Sequence, residues 1–312
     1  MNVNNFDVVG FGSATIDYIC LIDDIANYNQ ATIISDVKFF GGGCVPTALV
    51  ALQRLGGKSA FISLLEDDWI GKEIIKGLEK ESIYCGGIKL TKNVSSPFSF
   101  IQVNRKFGKR AIAYYPGSSR LIKFDQSAEE LIRKAKIILI DGLIPIEDIK
   151  AAKFAHENGI KVMLDADIIL DGTKKLLPYI DYLITSKAFL FEYSGKEEID
   201  FSLKKIYRNI KPEILVTTLG RKGSIAVIDN EIVYIDSFDV NVLDTTGAGD
   251  VYHGAFLFGI IKGWSVRDIM IFSSAVSAIK CNSYGGRKGI PDYKTTIDFL
   301  NKRGISIERF KT

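Results

Sequence analysis

Short apolar runs rich in β-branched residues alternate with segments of helical period through the middle of the chain, and this alternation constrains the fold most. The clearest example comprises residues 137–141, 148–156, 161–165 and 181–185. A strand, a helix and a further strand in succession are typical of a parallel sheet, because the helix returns the chain to the same edge. We therefore predict an α/β fold with a central, mostly parallel sheet flanked by helices on both faces.

Helical patterns also occur before and after this region. Residues 46–55 carry apolar side chains at helical spacing and are followed by two glycines, which stop a helix. Residues 248–281 form a long helical stretch with a break near Gly263, and a last helix begins at Pro291 and Asp292.

Two segments interrupt the alternation. Residues 18–40 and 97–115 have strand patterns without an intervening helix. We expect these insertions to form a small β-sheet lid that excludes water from a bound substrate, within a single domain of residues 1–312. A sheet edge that only pairs with another subunit is the alternative, and both uses are compatible because exposed edges pair readily.

The composition limits the class of partner. The chain carries 40 Lys and Arg against 37 Asp and Glu, and this net charge of +3 is too small to indicate binding to nucleic acid or to a membrane surface. No apolar run approaches the roughly 20 residues that span a bilayer, and the N-terminus has no export signal. We expect a cytoplasmic protein that acts on a small molecule and whose four cysteines are reduced.

The most informative stretch is Asp-Thr-Thr-Gly-Ala-Gly-Asp at residues 244–250, directly before a helical pattern. Gly247, Ala248 and Gly249 would let backbone N–H groups converge at the positive end of a helix dipole, as an anion hole for a phosphoryl group. Asp250 would stand at its rim, placed to accept a proton from an attacking hydroxyl group. This pattern indicates an alcohol kinase, and a glycine-rich helix cap is the alternative.

Two other nucleotide motifs are not supported. Residues 10–15 contain Gly-x-Gly but have Thr15 in place of the third glycine, and extended chain follows instead of a helix. The chain also has no GxxxxGK[ST] sequence, which disfavours a P-loop phosphotransferase.

With its complete DTTGAGD signature, the chain resembles the ribokinase-like, or pfkB, family of carbohydrate kinases. The resemblance implies that Asp250 is the catalytic base and that the three preceding amides stabilise the γ-phosphoryl group. Residues 12–17 look like the family's opening strand and turn, in which Asp17 binds substrate hydroxyls. Residues 41–57 look like its N-terminal signature, which makes Gly42 and Gly43 substrate contacts.

The resemblance continues through the nucleotide side. Residues 216–223 look like the strand and turn beside ATP, with the nucleotide contacts Thr218, Gly220 and Gly223. Residues 282–291 look like the loop that closes over adenine and ribose, with the contacts Asn282 and Gly286.

Many family members also hold a potassium-like cation near the anion hole. By position it would be bound here by Asp244, Thr246 and the carbonyl groups of Ser283 and Gly285. The resemblance therefore implies ATP and Mg²⁺ as cofactors, with K⁺ as a further cation.

Two departures from the family pattern concern substrate and metal. An Asn that binds sugar hydroxyls in the family is replaced by Pro46, which suits the first turn of a helix but has no amide side chain. The Asn-x-x-Glu motif that helps to order magnesium falls on Ser186 and Phe189, with Glu192 a turn further on. Magnesium should still be required, because it neutralises the β- and γ-phosphates.

Asp141 is a further candidate substrate contact, because it ends a core strand where open α/β sheets bind ligands. We expect ATP-dependent phosphorylation of a sugar hydroxyl group. The alternatives are a nucleoside kinase of the same fold and a catalytically silent sugar- or nucleotide-binding regulator. The resemblance also implies a homodimer joined through the lids, and short patterns near Gly43 and Val251 are similar to the sulfofructose kinase-like branch.

Overall fold

The computed structural model describes residues 6–24, 29, 31–104, 106 and 110–310. Its strands in chain order are β1 (Phe6–Phe11), β2 (Thr15–Ile22), β3 (Ile34–Gly42), β4 (Ser59–Glu66), β5 (Tyr84–Thr91), β6 (Phe98–Asn104), β7 (Arg110–Tyr115), β8 (Ala135–Ile140), β9 (Lys161–Ala166), β10 (Tyr182–Ser186), β11 (Ile214–Thr218), β12 (Ser224–Ile228) and β13 (Glu231–Ile235).

The helices surround these strands. In chain order they are α1 (Cys44–Leu55), α2 (Trp69–Lys80), α3 (Gln126–Ile132), α4 (Pro145–Glu157), α5 (Thr173–Leu176), α6 (Lys187–Ser194), α7 (Ile199–Ile210), α8 (Ala248–Ile261), α9 (Val266–Lys280) and α10 (Tyr293–Asn301). Among the described residues, no helix combines the length and the apolar character needed to cross a lipid bilayer.

The main sheet confirms the predicted fold class. Within the described residues it has nine strands in the order β13-β12-β11-β10-β9-β8-β1-β4-β5. Only the pairs β11/β12 and β12/β13 are antiparallel, and the remaining pairs are parallel. The sheet is therefore parallel over the region where the strand–helix alternation was clearest.

Helices cover both faces of this sheet. Successive strand residues point to opposite faces, so Val8 packs in the core under α1, α8 and α9, and Val9 packs in the core under α3, α4 and α7. The predicted break near Gly263 is present, because α8 ends at Ile261 and the Ser265 side chain caps the start of α9. Burial on both faces explains why the core strands are apolar throughout.

A second sheet has the order β3-β2-β6-β7 and contains the described parts of the two predicted insertions. Its strands β2 and β6 are parallel, and both edge pairs are antiparallel. It begins at Thr15, three residues before the predicted start. Residues 25–28, 30, 105 and 107–109 of the two insertions lie outside the described residues.

Candidate active site

Helix α8 begins at the predicted anion hole. Its N-cap residue Gly247 has a φ of 73°, a left-handed conformation that glycine adopts without strain. A Cβ atom at this position would lie 2.9 Å from the Gly286 Cα atom, which is too close, so a residue with a side chain would not fit here. The Ala248 N–H group donates to the Thr245 carbonyl at 3.1 Å. The amides that follow in the first turn have no carbonyl within the helix to accept from them, and such N–H groups at a helix start favour binding of an anion.

Asp250 lies beside a second acid that the sequence analysis did not single out. One carboxylate oxygen of Asp250, one of Asp165 and the Cys44 Sγ atom all lie within 4.8 Å of one another. Burial and the negative charge of Asp165 raise the pKa of Asp250 to about 7. A carboxylate with such a pKa accepts a proton readily near neutral pH.

His253 connects Asp165 to the same helix. Its Nδ1 atom lies 2.7 Å from the Gly249 carbonyl oxygen, and its Nε2 atom lies 3.2 Å from Asp165 Oδ1. Because a carbonyl oxygen only accepts, Nδ1 carries the hydrogen. Burial lowers the pKa of His253, and burial raises the pKa of Asp165 well above its ordinary value. The imidazole is therefore neutral, and its Nε2 atom lies beside Asp165 without a hydrogen-bond partner among the described residues.

Asp17 and Gly42 meet where the second sheet reaches the main one. The Thr15 hydroxyl group donates to Asp17 Oδ1 at 3.0 Å, and burial raises the pKa of Asp17. A Cβ atom at Gly42 would lie only 2.3 Å from Asp17 Oδ2, so glycine makes room for the carboxyl group. The next residue, Gly43, caps α1 with a φ of 93°.

Asp141 lies at the carboxyl end of β8 and has a free oxygen atom. Its Oδ1 atom accepts from the Leu143 N–H group at 3.1 Å. Its Oδ2 atom is buried and has no hydrogen-bond partner among the described residues. Burial raises the pKa of Asp141 to about 6. Because buried polar atoms are nearly always paired, a bound hydroxyl group is a suitable partner for this oxygen.

Arg287 is a second site residue that the sequence analysis missed. Only 9% of its surface is exposed, and its Nη2 atom donates to the Gly42 carbonyl at 2.5 Å. Its Nε atom donates to Thr47 Oγ1 at 3.3 Å. Arg54 holds the loop in turn, because its Nη1 atom donates to the carbonyls of Arg287 and Ile290, each at 2.9 Å. A buried guanidinium group therefore lies next to the position where Pro46 replaces the family's Asn.

A cavity of about 410 Å³ opens at the start of helix α8. It is lined by three predicted nucleotide contacts, by two residues of the anion hole and by apolar residues not anticipated: Thr218, Gly220, Gly223, Ala248, Gly249, Phe238, Val240, Val242 and Tyr252. Asn282 and Gly286 are not among its described lining residues. Asn282 is exposed, and Gly286 lies against Gly247. Cys281 lines the cavity where Asn282 was expected.

The expected cation site has protein partners of its own. Asp244 Oδ1 accepts from the Thr246 N–H group and Oδ2 from the Gly285 N–H group, both at 2.8 Å. The carbonyl groups of Asp244 and Thr246 accept from the Lys280 ammonium group. Ser283 is half-buried in the loop that follows α9.

The Asn-x-x-Glu positions have structural roles in this chain. Ser186 caps α6 by accepting from the Phe189 N–H group at 3.0 Å, and the Phe189 ring is fully buried. Glu192 is exposed. Carboxylates also occur at this end of the sheet, where Asp165 lies in β9 and Asp167 directly follows the last residue of that strand. Carboxylate oxygens are ligands that a hard cation prefers.

Comparison with protein families and with individual proteins shows which proteins this chain is similar to. The model of the pfkB family carbohydrate kinases matches residues 5–292. A ribokinase from Haemophilus influenzae is 26% identical over 298 residues, which cover 93% of this chain and 96% of that protein. A 5-dehydro-2-deoxygluconokinase from Clostridium perfringens is 28% identical over 324 residues, 95% of this chain and 93% of that protein. A nucleoside kinase from Methanothermobacter thermautotrophicus is 24% identical over 291 residues, 92% of this chain and 93% of that protein.

Solved structures share the fold. Arabidopsis thaliana ribokinase complexed with ribose and ATP matches with a TM-score of 0.84 at 23% identity, over 95% of this chain and 98% of that one. Thermotoga maritima ribokinase matches with a TM-score of 0.83 at 24% identity, over 95% and 99%. An Escherichia coli protein in complex with ATP and Mg²⁺ matches with a TM-score of 0.82 at 18% identity, over 95% and 99%.

Proposed function

Because the chain belongs to the pfkB family of carbohydrate kinases, we propose that it transfers the γ-phosphoryl group of ATP to a hydroxyl group of a sugar. The observation that supports this most is the position of Asp250, which directly follows two residues of a cavity lining and lies beside buried acids. Ala248 and Gly249, at the same helix start, line the 410 Å³ cavity, which suits a nucleotide. The buried acids Asp17 and Asp165, which do not line this cavity, act electrostatically on Asp250.

In the proposed reaction, Asp250 takes the proton of the sugar hydroxyl group while the oxygen of that hydroxyl group attacks the γ-phosphorus of ATP. The bond between that phosphorus and the β–γ bridging oxygen breaks, and ADP leaves. The N–H groups at the start of α8 donate to the phosphoryl oxygens during transfer, in a site arranged before the substrates arrive. The protein thus supplies positioning, a base and an anion hole.

Magnesium, when bound with ATP, offsets the negative charge of the β- and γ-phosphates. The carboxylates that would hold its water shell are Asp165 and Asp167, in place of the family's Asn-x-x-Glu motif. The thiol of Cys44, although close to Asp165, is a soft ligand that Mg²⁺ does not favour.

We propose an uncharged polyhydroxy compound as the acceptor. Asp17, Asp141 and Asp165 are buried carboxyl groups on the acceptor side. Such groups exchange hydrogen bonds with hydroxyl groups and offer no positive charge to an anion. The buried Arg287 guanidinium group already donates to the Gly42 carbonyl and to Thr47, so it does not by itself indicate an anionic substrate.

The second sheet is proposed to act as the lid of the acceptor side. It carries Asp17 on β2 and Gly42 at the end of β3, so its position sets the shape of that side. Its exposed apolar side chains, among them Phe39 and Ile112, support a homodimer joined through the two lids. Light scattering of the wild-type protein and of an Ile112→Glu variant tests this, because a charge in such an interface should yield monomers.

A substrate panel tests the reaction. The purified protein would be incubated with MgATP and with ketoses, aldoses, sugar phosphates, sulfosugars and nucleosides, and ADP release would be measured. We expect release with one class of uncharged sugar and a loss of about 10²–10⁴-fold in kcat for Asp250→Asn. Asp298→Asn is the matched control, because the Asp298 carboxylate is exposed and pairs with Lys294, 3.0 Å apart.

The panel also separates the remaining candidates. ADP release with nucleosides alone would overturn the sugar assignment in favour of a nucleoside kinase, an activity that one of the similar proteins carries in its name. Nucleotide binding without turnover on any acceptor would favour a silent regulator. Near-normal turnover of Asp250→Asn would remove Asp250 from the role of base.

A further inference from the structure

We propose that the ammonium group of Lys280 is a built-in cation that holds the anion-hole turn, so that catalysis requires no added monovalent cation. This inference rests on the proposed kinase function and concerns the residues from which the family resemblance led us to expect a potassium site. Lys280 would be a positioning residue, because it acts through the turn that begins α8.

Lys280 is fully buried near the end of α9, with 0% of its surface exposed. Its Nζ atom donates to the backbone carbonyl of Asp244 at 3.1 Å and to the backbone carbonyl of Thr246. Thr246 directly precedes Gly247, whose left-handed φ of 73° starts the anion hole. The ammonium group therefore binds the turn immediately before the hole.

A buried ammonium group is unfavourable unless partner atoms replace the lost water. The partners here include two carbonyl oxygens and the negative charge of Asp244. Burial raises the pKa of Asp244, but N–H donors from Thr246 and Gly285 and the charge of Lys280 outweigh it and keep that pKa below its ordinary value. The lysine and the aspartate thus compensate each other within the turn.

Two of the four expected potassium ligands, Asp244 and Thr246, are already engaged. A potassium ion would bind oxygen atoms, and the carbonyls of Asp244 and Thr246 accept from Lys280. Both carboxylate oxygens of Asp244 accept from backbone N–H groups. The expected carbonyl ligand Gly285 contacts Asp244 through its N–H group. This arrangement fits an ammonium group better than it fits a metal ion, and no catalytic step is assigned to potassium.

The same helix supports the hole at a second point. The Ser277 hydroxyl group, one turn before Lys280, donates to the Ala248 carbonyl at 2.5 Å. Helix α9 therefore holds the residues on both sides of Gly247. Donors that are fixed before the reaction stabilise developing charge without reorganisation, and a positive charge beneath them adds to that effect.

The first experiment is a cation titration of the wild-type enzyme. Turnover with the sugar found in the panel would be measured in buffer that contains only tetramethylammonium salts, and KCl would then be added at constant ionic strength. We expect less than a twofold change in kcat. Activation by potassium of tenfold or more would overturn the proposal while leaving the kinase function intact.

Two variants test the lysine itself. Lys280→Met keeps the length of the side chain but cannot donate, and we expect a loss of at least tenfold in kcat with little change in the KM of the sugar. Lys280→Ala leaves space at the same point, and added K⁺ or methylammonium should restore part of its kcat. Lys302→Met, on an exposed residue, is the matched control. Unchanged kcat in folded Lys280→Met would contradict the proposal.

Nucleotide binding provides a readout that does not depend on turnover. Calorimetric Kd values for ADP with the wild-type protein should agree within twofold with and without KCl. Tightening by tenfold or more would contradict the proposal even if no acceptor in the panel is phosphorylated or a Lys280 variant does not fold. Absence of any turnover would count against the proposed function alone.

Discussion

One carboxylate oxygen of Asp165, at the end of β9, lies within 4.8 Å of a carboxylate oxygen of Asp250, in the first turn of α8. Two carboxylates at this distance repel each other, so the second becomes harder to ionise when the first is charged. Burial is the larger cause, and together with this contact it raises the pKa of Asp250, the proposed base, to about 7. This raised pKa makes the proposed mechanism testable by pH.

The rate should depend on pH through Asp250. The base must be deprotonated to act, so kcat/KM should rise between pH 6 and pH 8 and should be about tenfold lower at pH 6 than on the plateau. Asp165→Asn removes the neighbouring negative charge and should lower the pKa of Asp250, which moves this acidic limb to lower pH. A pH–rate profile of both proteins checks this, and an unmoved limb in the variant would exclude the electrostatic coupling.

Folding stability should also depend on Asp250, but the ionised form that catalysis needs should lower it. The pKa of Asp250 is higher in the folded protein than in the unfolded chain, so the unfolded chain ionises first as pH rises. Ionisation of Asp250 therefore lowers the free energy of unfolding progressively between about pH 4 and pH 7, and this loss stays constant at higher pH. We expect Asp250→Asn to have a Tm equal to or above that of the wild type at pH 8. A clearly lower Tm would indicate a structural role.

Gly249→Ala should affect ATP and leave the fold intact. A Cβ atom at Gly249 would have nothing within 4 Å among the described residues, and alanine favours a helix. The methyl group would instead occupy space beside the nucleotide cavity. We expect an unchanged or higher Tm and a rise of tenfold or more in the KM of ATP. An unaltered KM would mean that the phosphates do not approach this residue.

Gly42→Ala should affect the sugar. The new Cβ atom would lie 2.3 Å from Asp17 Oδ2 and would displace that carboxyl group. We expect the KM of the sugar to rise by tenfold or more while the Kd of ADP stays within twofold of the wild type. Gly77→Ala, in helix α2, is the matched control, because a Cβ atom at Gly77 would meet no atom within 4 Å among the described residues.

Arg287→Met should both raise the KM of the sugar and lower the free energy of unfolding. The change leaves the Gly42 carbonyl and the Thr47 hydroxyl group without their donor, at a cost of about 1–3 kcal/mol in the free energy of unfolding. We expect a higher KM for the sugar, because Gly42 borders Asp17. Urea unfolding and steady-state kinetics measure the two effects, with Arg303→Met on an exposed residue as control. A stable variant with normal KM would contradict this role.

Much of this protein could be predicted from local patterns. The strand–helix alternation specified a parallel sheet with helices on both faces, and the fold comparison confirms it. Apolar period and glycine stops located α1 and the break between α8 and α9. Residues 247–250 lie together because they are consecutive, and their glycines already indicated a turn into a helix. Such features depend on neighbours in the chain, which a sequence displays directly.

The tertiary structure alone decided the rest. Asp165, Arg287 and Lys280 come from separate elements, and each acts on a turn that is distant in sequence. Their partners are largely backbone carbonyls, which every residue carries and which therefore leave no trace in the sequence. Burial then determines what these side chains do, because it raises the pKa of Asp250 and excludes water from Lys280. A charged residue in a sequence shows neither its depth nor its partner, and both arise only when the chain packs.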